Sequence, residues 1–524
     1  MGDDANTADD ASDEPLLLGV DAGLTNVKAA VFDADGRELT VASRASPNVD
    51  AGPERVERDM DEFWAVTCDV VREAVASDGV GGDRIAGVGV AGHGHGLYAL
   101  DSEGEPVRPG ITSLDSRATS VVDAWDEAGL TAAVAERIGY EPFVADPLSL
   151  LGWLQREEPD AYDAIDRLLF CKDYLKYRLT DVVCTDETEA SVFFDPDREA
   201  YSAEAFELLG LDDCLEALPA IVPSWEACGE VTPAAAAETG LDAGTPVASG
   251  LHDVGAVALG AGAHRPGQGT LIVGTWGQSI SLTADPGGHE AAGIARRFLR
   301  DGWLRYRGTR SAAAAVDWFV DECCPDWRED AEARGVDPYR DVNERVADVP
   351  AGANGLLFLP YLRGSTDHPN ARGGFVGLTE DHTRPAMVRA IYEGVALSLS
   401  THLQELAGDR GLSDVRLGGG GAKSTVWSQL FADVLGEDVV VPAGAEMGAR
   451  GVAICAGLAV GLYDDHADAV DRTVSTERRH RPDPARVASY RTIREAFETT
   501  VEQHVTIWET LKQIGREGKT NGDH

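Results

Sequence analysis

The sequence predicts an α/β protein with two lobes of similar architecture and a shared cleft between them. Two stretches carry this prediction. Near the start of the chain, the apolar runs Leu16–Val20 and Lys28–Phe32 flank a short turn rich in Gly, Thr and Asn, as in a β-hairpin. Residues 271–283 repeat the pattern around the turn Gly274-Thr275-Trp276-Gly277. One such unit at the start of each half indicates an internal structural duplication, with one turn from each lobe facing the cleft.

The chain length supports two lobes, because 524 residues are too many for a single hydrophobic core. Hydrophobic residues make up 43% of the chain, which is enough for a sizeable core in each lobe. We expect a disordered acidic tail over residues 1–14, an N-terminal lobe over 15–250, a C-terminal lobe over 251–490, and a C-terminal helix with a frayed end over 491–524.

Further strands and helices follow from the apolar pattern. A strand is expected over Arg84–Val90, and residues 355–365 are expected to form a buried strand and then a loop. Residues 412–442 predict a strand, a four-glycine turn, a helix and a second strand. Other helices are predicted over Asp59–Ala76, 119–137, 147–157, 160–180, 201–240, Ala312–Val320, Arg384–Leu406 and Glu446–Val460.

The net charge restricts the partners of this protein. It is −45, from 45 Lys+Arg against 90 Asp+Glu, and only six of the basic residues are lysines. Such a surface repels nucleic acid and anionic lipid, so we expect neither as a partner. Acid spread over the whole length indicates adaptation to high salt, which screens self-repulsion; the alternative is an ordinary acidic cytosolic protein. The sequence is compatible with a homodimer.

The sequence also indicates a cytoplasmic location. The first residues lack the basic leader of a secreted protein, and no apolar run is long enough to span a bilayer. The cysteines are scattered without a CxxC pair, and we expect them to be reduced, apolar core residues. They are Cys68, Cys171, Cys184, Cys214, Cys228, Cys323, Cys324 and Cys455.

The stretch Ala248–Gly260, ASGLHDVGAVALG, lies midway along the chain. It predicts a strand, a tight turn at Gly250 and a helix that begins at Asp253. Asp253 has two interpretations. It is either the N-cap of that helix or a general base at the junction of the two lobes, where ligands often bind.

Three further loops carry polar groups that could bind a ligand. In the first hairpin turn, Gly23, Thr25 and Asn26 can direct hydroxyl and backbone N–H groups at a phosphate, or they form a structural turn only. His93 and His95 follow a strand, where polar contacts to a sugar or polyol are favoured over a metal pair, since a third ligand at a suitable spacing is missing. Asp115 and Arg117 add an acceptor and a forked donor, unless they form a solvated surface turn.

Four consecutive glycines, Gly418–Gly421, precede Ala422-Lys423-Ser424. This stretch fits neither GxxxxGK[ST] nor GxGxxG, because Ala422 and Lys423 stand where glycine is required. A strand-to-helix turn remains, at which the backbone approaches either a ligand or a neighbouring helix.

Taken together, these residues resemble the FGGY carbohydrate kinases, which belong to the superfamily of actin-like ATPases. The resemblance covers about residues 15–490. GVDAGLTNVKAAVFDADG is similar to the first phosphate motif of the family, LIVGTWGQSI to the second, and VRLGGGGAKSTVWSQLFADVLGEDVVVP to the adenosine motif. CKDYLKYRLTD is also similar to a family segment. The resemblance implies two actin-like (ribonuclease H-like) lobes with the active site in the interdomain cleft.

The resemblance also implies roles for single residues. Asp253 stands where the family keeps its catalytic base, and Asp21 would hold Mg²⁺ through water. The nucleotide, ATP or ADP, would be bound by turn residues of both lobes, and the sugar by the His loop, the Asp115 segment and the base. The implied nucleotide residues are Gly23, Thr25, Asn26, Gly274, Thr275, Gly419, Gly420 and Ser424; the implied sugar residues are His93, His95, Asp115, Arg117 and Asp253.

The resemblance defines the reaction more closely than it defines the sugar substrate. His95 falls where xylulose kinases carry a substrate-contacting His. The loop GHGHGLYALD, the SLDSRA segment and PLSLLGWL are more similar to the L-xylulose and 3-keto-L-gulonate kinase branch, which also has Leu at the position of Leu150. That branch, however, carries Lys where this chain has His95. The implied reaction is ATP-dependent phosphorylation of a ketopentose such as xylulose or L-xylulose. Alternatives are a glycerol or erythritol kinase, and an actin-like ATPase switch that phosphorylates no sugar.

Overall fold

The computed structural model describes residues 14–196, 199–287, 292–300, 302–365 and 368–520. The expected disordered tail lies outside these residues except for Glu14. The chain folds into two compact units. The first consists of the chain up to Pro266, Thr283–Arg305 and Gly444–Ser475; the second consists of Gly267–Leu282, Tyr306–Ala443 and the chain from Thr476 onward.

These units interleave along the sequence, whereas the sequence predicted a single change of lobe after residue 250. The helix that begins at Asp253 stays in the first unit because it packs on the helix Met447–Ala459, which returns to that unit late in the chain. The physical division therefore follows helix packing, and two segments from the second half of the chain complete the first unit.

The first unit is built on a mixed sheet. Leu16–Ala22 pairs antiparallel with Asn26–Phe32 and parallel with Ile85–Gly92, which confirms the predicted first hairpin. Leu251–His252 also pairs parallel with Ile85–Gly92, beyond the main path of the sheet. The spatial order of the strands is Ala227–Glu230, Pro246–Ala248, Ile85–Gly92, Leu16–Ala22, Asn26–Phe32 and Glu38–Ala45.

Helices cover this sheet and fill a second apolar cluster beside it. The longer ones are Met60–Val75, Thr119–Glu127, Leu130–Ile138, Pro147–Glu157, Cys171–Thr180, Ala203–Leu209, Pro233–Thr239, Asp253–Gly260, Met447–Ala459 and His466–Thr473; short segments are Pro159–Asp163, Glu187–Ala190, Ser191–Phe193 and Asp212–Ala217. The remaining strands of this unit are short. They are Asn48–Gly52, Arg55–Arg58, Tyr98–Leu100, Gly110–Ile111, Arg167–Leu169, Cys184–Thr185, Phe194–Asp195, Ala200–Tyr201, Ala220–Ile221 and Ile294–Phe298.

Three predicted helices of the first unit are wrong as continuous elements. Residues 119–137 form two helices, Thr119–Glu127 and Leu130–Ile138, which are separated at Gly129 in the left-handed conformation. Residues 160–180 are interrupted by the strand Arg167–Leu169, which pairs with Tyr98–Leu100; this tertiary pairing overrides the local helical pattern. Residues 201–240 hold three short helical segments, Ala203–Leu209, Asp212–Ala217 and Pro233–Thr239. The first ends at Gly210 in the left-handed conformation, and two short strands separate the second from the third.

The second unit repeats the arrangement around its own sheet. Gln268–Val273 pairs antiparallel with Gly277–Thr283 and parallel with Asp414–Gly418, so the second predicted hairpin is confirmed. Beyond them lie Gly302–Thr309 at one side and Val439–Pro442 and Thr476–His480 at the other. A small hairpin joins Leu357–Leu359 to Gly374–Val376. The helices are Ala313–Cys323, Pro325–Ala333, Pro338–Val346, Arg384–Ala407, Thr425–Leu435 and Pro484–Thr520.

Apolar residues from the sheet and helices of the second unit form one core cluster. Among the residues that the structure describes, no helix is both long and apolar enough to cross a membrane.

The helix Met447–Ala459 packs backbone to backbone because glycines remove side chains from its contacts. A Cβ at Gly451 would lie 1.9 Å from the carbonyl oxygen of Ala256 in the Asp253 helix, and one at Gly260 would lie 1.9 Å from that of Met447. On the sheet side, Gly19 meets Ala449 at the same hypothetical distance. The Asp253 helix is thus fixed against the sheet through contacts that leave no room for a methyl group.

We predict that Gly451→Ala destabilises the protein by roughly 1–3 kcal/mol, the usual cost of overpacking, because the new methyl group must displace backbone. Thermal melts followed by circular dichroism should show a clear drop in Tm. Gly374→Ala is the control, since a Cβ there meets nothing within 4 Å. An unchanged melting curve for Gly451→Ala would show that the two helices can separate at little cost.

Candidate active site

Three parallel strands of the first unit end at the same edge of its sheet. In the pairing register, Ala22 and His252 both lie opposite Gly92. Asp21, His93 and Asp253 therefore come from distant parts of the sequence to adjacent strand ends. Ligands of open α/β sheets bind outside the carboxyl ends of the strands, so this edge is the candidate active site of the first unit.

Asp253 is the first residue of the helix Asp253–Gly260, and the N-cap position falls on His252. The Asp253 carboxylate accepts a hydrogen bond from the backbone N–H of Val254, at 2.7 Å, and another from that of Gly94. Its side chain is half-buried. It therefore joins the helix N-terminus to the His loop, rather than capping the helix alone as one interpretation expected.

Burial raises the pKa of Asp253 to about 7, and the nearby negative charge of Asp21 adds to this shift. Burial likewise raises the pKa of Asp21 to about 6, although Lys28 opposes the shift. Lys28 acts on Asp21 but also forms an ion pair with Glu446, whose Oε2 lies 2.7 Å from Lys28 Nζ. A carboxyl group with a pKa near neutrality can take up a proton during a reaction at physiological pH, which suits Asp253 to a general base.

The two carboxyl groups also determine which cation the edge could hold. A divalent ion would relieve the repulsion between Asp21 and Asp253, so the donor set fits a hard cation with oxygen ligands. Across the described part of the chain, no group of three or more His, Cys, Asp or Glu side chains is placed to hold a metal. Water and phosphate oxygens would have to complete the coordination, as is usual for Mg²⁺.

The first hairpin turn presents its polar groups next to Asp21. The N–H of Gly23 donates to the carbonyl of Asn26 at 3.0 Å, and Ser46 fixes the turn by donating to Gly23 O at 2.7 Å and Thr25 O at 2.9 Å. Thr25 is exposed and Asn26 half-buried. A rigid turn with an exposed hydroxyl is consistent with the predicted phosphate contact, which stays a prediction.

Both histidines of the loop are buried and neutral. His93 Nε2 contacts the hydroxyl of Tyr98 at 3.0 Å, and desolvation lowers its pKa to about 3. His95 Nε2 lies 2.8 Å from Arg296 Nη2. Because a guanidinium can only donate, this nitrogen accepts, and the proton of His95 belongs on Nδ1, 3.6 Å from Asp146 Oδ2. Burial, together with Arg296, lowers the pKa of His95 to about 4.

Asp115 and Arg117 bind mainly to protein groups. Arg117 Nε and Nη2 donate to the two carboxylate oxygens of Asp115 at 2.9 and 2.8 Å, and Nη2 also reaches Glu57 at 2.7 Å. Asp115 Oδ2 accepts from the N–H of Val56 as well. Both residues are buried rather than in a solvated turn. Their geometry favours a structural clamp, and the sugar contact expected for them stays a prediction.

The sequence reasoning missed a buried relay that holds the backbone beside Asp253. Lys172 Nζ lies 2.7 Å from Asp186 Oδ1, and Asp186 Oδ2 accepts from both the N–H and the hydroxyl of Thr188. Thr188 Oγ1 in turn accepts from the N–H of His252 at 2.9 Å. All three side chains are fully buried. CKDYL lies within a predicted helix, whereas CTDETEAS is a polar stretch typical of a surface loop, so no local signal in the sequence marks these residues as buried.

The second unit contains a cavity of about 960 Å³. Four residues predicted for the nucleotide, from two separate motifs, line it together: Gly274, Thr275, Gly420 and Ser424. Gly419, also predicted for the nucleotide, is not among the lining residues; its φ is positive, and a Cβ there would lie 2.7 Å from Val273 O. The volume of the cavity is in the usual range for small-molecule and cofactor sites. The cavity is also lined by Lys423 of the four-glycine stretch and by residues that the sequence analysis did not identify: Asp317, Tyr339, Arg340, Asn343 and Tyr392.

Asn343 belongs to the helix Pro338–Val346 and joins this cavity through side-chain contacts. Its Oδ1 accepts hydrogen bonds from Ser424 Oγ at 2.6 Å and from the hydroxyl of Tyr392 at 3.0 Å. Ser424 also caps the helix Thr425–Leu435 by accepting from the N–H of Trp427. These contacts fix the amide orientation of Asn343, so that its oxygen is directed at protein hydroxyls.

Comparison with known proteins agrees with this architecture. The N-terminal domain of the FGGY family of carbohydrate kinases matches residues 16–260, and the C-terminal domain matches residues 269–460. The L-xylulose/3-keto-L-gulonate kinase of Escherichia coli K12 is 33% identical over 459 residues, which are 86% of this chain and 90% of the relative.

Solved structures show the same fold. The ligand-bound xylulose kinase of Lactobacillus acidophilus superposes with a TM-score of 0.86 at 22% identity, over 95% of this chain and 100% of that one. The xylulose kinase of Rhodospirillum rubrum gives 0.83 at 28% identity, over 94% and 100%. The chain belongs to the FGGY family of carbohydrate kinases, has the actin-like ATPase fold, and is a phosphotransferase acting on a sugar.

We predict that Thr188→Val lowers the kcat of sugar phosphorylation at least tenfold while leaving the KM for ATP nearly unchanged. Valine keeps the shape but removes the acceptor for the N–H of His252, and an unsatisfied buried donor costs about 1–3 kcal/mol. Thr188→Ser retains the oxygen and should restore most of the rate. Steady-state kinetics and melting curves of both variants test this. Loss of Tm with full kcat in Thr188→Val would limit the relay to a structural role.

Proposed function

We propose that this chain transfers the γ-phosphoryl group of ATP to a hydroxyl of a ketopentose, with L-xylulose and xylulose as the first candidates. The names of the relatives in Escherichia coli and Rhodospirillum rubrum support the substrate class. The observation that carries the mechanism is Asp253, a carboxyl group with a pKa near 7 at the ends of three parallel strands. We also place the protein in the cytoplasm; its oligomeric state stays open.

In the proposed reaction, the Asp253 carboxylate accepts the proton of the sugar hydroxyl. The hydroxyl oxygen bonds to the γ-phosphorus as the bond to the β–γ bridging oxygen breaks, and ADP leaves. Phosphoryl transfer needs alignment and charge neutralisation more than covalent help from the protein. The hydrogen bonds from Val254 and Gly94 hold the base in place without changing its proton affinity enough to prevent its action.

The sugar is proposed to bind beside the His loop. His95 is neutral and fixed by Arg296, so it offers a defined polar surface rather than a charge. Asp115 and Arg117 would support the loop that faces the sugar. Smaller polyols would leave part of this polar surface unpaired, and an unpaired buried polar group costs about 1–3 kcal/mol.

ATP is proposed to occupy the cavity of the second unit, with Gly274 and Thr275 toward the phosphates and Gly419, Gly420 and Ser424 toward the nucleoside. In the first unit, Gly23, Thr25 and Asn26 would contact phosphate oxygens, and Asp21 would hold Mg²⁺ through water. When bound, the ion supplies neutralisation of phosphate charge.

We predict that ATP consumption depends on the sugar and that the best ketopentose exceeds glycerol in kcat/KM by at least tenfold. A coupled assay for ADP should compare xylulose, L-xylulose, ribulose, 3-keto-gulonate, erythritol and glycerol. Comparable values for glycerol and the best ketose would favour a polyol kinase. ATP hydrolysis that no sugar stimulates would favour an actin-like switch and overturn the proposal.

The charge of −45 leads us to propose that the protein is adapted to high salt. Repulsion among carboxylates should loosen the fold in dilute buffer, whereas molar salt reduces the screening length to about 3 Å. We predict that the Tm rises by several degrees between about 0.1 M and molar KCl. Melting temperatures at a series of KCl concentrations test this, with choline chloride as a control for ionic strength alone. A flat or falling Tm contradicts the proposal.

A further inference from the structure

Arg58 is a fully buried cation beside the first hairpin turn, and the proposed reaction does not use it. It faces Asn48 in the register of the small hairpin that pairs Asn48–Gly52 with Arg55–Arg58. Its Nε and Nη2 donate to Asn48 Oδ1 at 3.0 and 2.8 Å, and Nη2 also donates to the carbonyl of Gly23 at 3.3 Å. Arg58 Cζ lies 4.4 Å from the centre of the Phe63 ring. Arg58 therefore joins this hairpin to the turn that we propose for phosphate contacts.

Asn48 extends this contact to the next carbonyl of the turn. Because its side-chain oxygen accepts from the guanidinium, its amide nitrogen is the end that donates, and it donates to the carbonyl of Leu24. The carbonyl of Thr25 accepts from the N–H of Ser46 at 2.9 Å. Three successive carbonyl groups of the turn, those of residues 23–25, are thus held by protein donors.

The orientation of these carbonyls determines where the N–H groups of the turn point. In a trans peptide unit, the C=O and the N–H that follows it point in opposite directions. Holding the carbonyls of Gly23 and Leu24 therefore directs the N–H groups of Leu24 and Thr25 to the other side of the turn. In the described part of the chain, neither N–H group donates to a protein acceptor. Successive backbone N–H groups that point the same way form an anion-binding concavity.

The charge of Arg58 points to the same kind of ligand. Across the residues that the structure describes, Arg58 forms no ion pair with a carboxylate; it donates to an amide oxygen, a carbonyl oxygen and the sulfur of Cys171. A buried cation is costly unless an anion compensates its charge. A phosphate group at the turn would supply that anion, in buried surroundings that screen charge weakly.

We propose that Arg58 and Asn48 are positioning residues that hold the first hairpin turn ready for a phosphate group of the nucleotide. Arg58 fixes the carbonyl of Gly23 and the side chain of Asn48, and Asn48 fixes the carbonyl of Leu24. The N–H groups of Leu24 and Thr25 then face the phosphate before it binds, so little reorganisation opposes binding. The inference rests on the proposed function, in which this turn contacts phosphate oxygens. Arg58 and Asn48 act through the turn and do not touch the nucleotide themselves.

Asn48→Asp is the first test, because it separates the two contacts of Asn48. The aspartate oxygens still accept from Arg58 and add an ion pair, so the fold should be kept. The aspartate cannot donate to the carbonyl of Leu24, however, and it neutralises the buried cation. We expect the Kd for MgATP, measured by titration calorimetry, to rise roughly tenfold or more, since a hydrogen bond to a charged group is worth about that factor. The Kd for adenosine and the Tm should stay close to their native values.

Arg58→Met is the second test, because it removes the charge and the donors but keeps an unbranched side chain against Phe63. We expect at least the same loss of MgATP affinity. In steady-state assays the KM for ATP should rise while the KM for the sugar stays near its native value. If this variant fails to fold, Asn48→Asp decides alone.

Each variant has a control with a matched change of charge. Asn354→Asp adds the same charge at an exposed position of the second unit. Arg44→Met removes an exposed arginine from the strand Glu38–Ala45 of the same unit as Arg58. Both controls should leave the affinity for MgATP and the KM for ATP unchanged.

Two results would overturn the positioning role. One is a folded Asn48→Asp protein with native affinity for MgATP. The other is an equal loss of affinity for adenosine and for MgATP, because the effect would then not concern the phosphates. Absence of MgATP binding by the native protein would overturn this inference together with the proposed function. A native protein that binds MgATP more tightly than the variants, but phosphorylates no sugar, would count against the proposed function alone.

Discussion

The close approach of backbones around the helix Met447–Ala459 determines the geometry of the first unit. Glycines on both sides, Gly19 and Gly89 in the sheet and Gly260 and Gly451 in the helices, bring main-chain atoms into contact where any side chain would collide. Because the helix Met447–Ala459 lies this close, its backbone contacts fix the adjacent Asp253 helix in place. Gly448 extends the same constraint to the site, since a Cβ there would lie 2.2 Å from Asp21 Oδ2. The two acidic groups of the site are therefore fixed by packing rather than by contacts with each other.

A second constraint is electrostatic. The first unit buries Lys172, Asp173, Lys176 and Asp186 completely, and such charges are tolerated only when they neutralise one another with good geometry. These two lysines and two aspartates thus balance one another in charge, while the chain as a whole is strongly acidic. This balanced network holds the backbone of His252 through Thr188 and contacts Cys184 through Lys176. The segment that carries Asp253 is consequently linked to buried polar groups on one side and to close-packed glycines on the other.

Much of this arrangement could be predicted from the sequence where the signal is local. The two hairpins, the four-glycine turn and the Asp253 helix each depend on a short run of residues with a turn between them. Contacts between distant segments could not be predicted in this way. Arg296 reaches His95 across 201 positions. Asn343 joins the cavity of the second unit from a helix whose sequence resembles any exposed amphipathic segment. The strand Arg167–Leu169 was missed because its partner Tyr98–Leu100 is remote, and the raised pKa of Asp253 depends on burial that no motif encodes.

The central claim is that Asp253 removes the proton from the sugar hydroxyl. Asp253→Asn tests it most directly, because the amide oxygen can still accept the hydrogen bonds of Val254 and Gly94 but cannot take up a proton. For the best ketose, the account predicts a fall in kcat of about 10²–10⁴, with the Tm and the Kd for ATP close to those of the native protein. A folded Asp253→Asn variant that retains more than about a tenth of the native kcat, with the chemical step still rate-limiting, would contradict it.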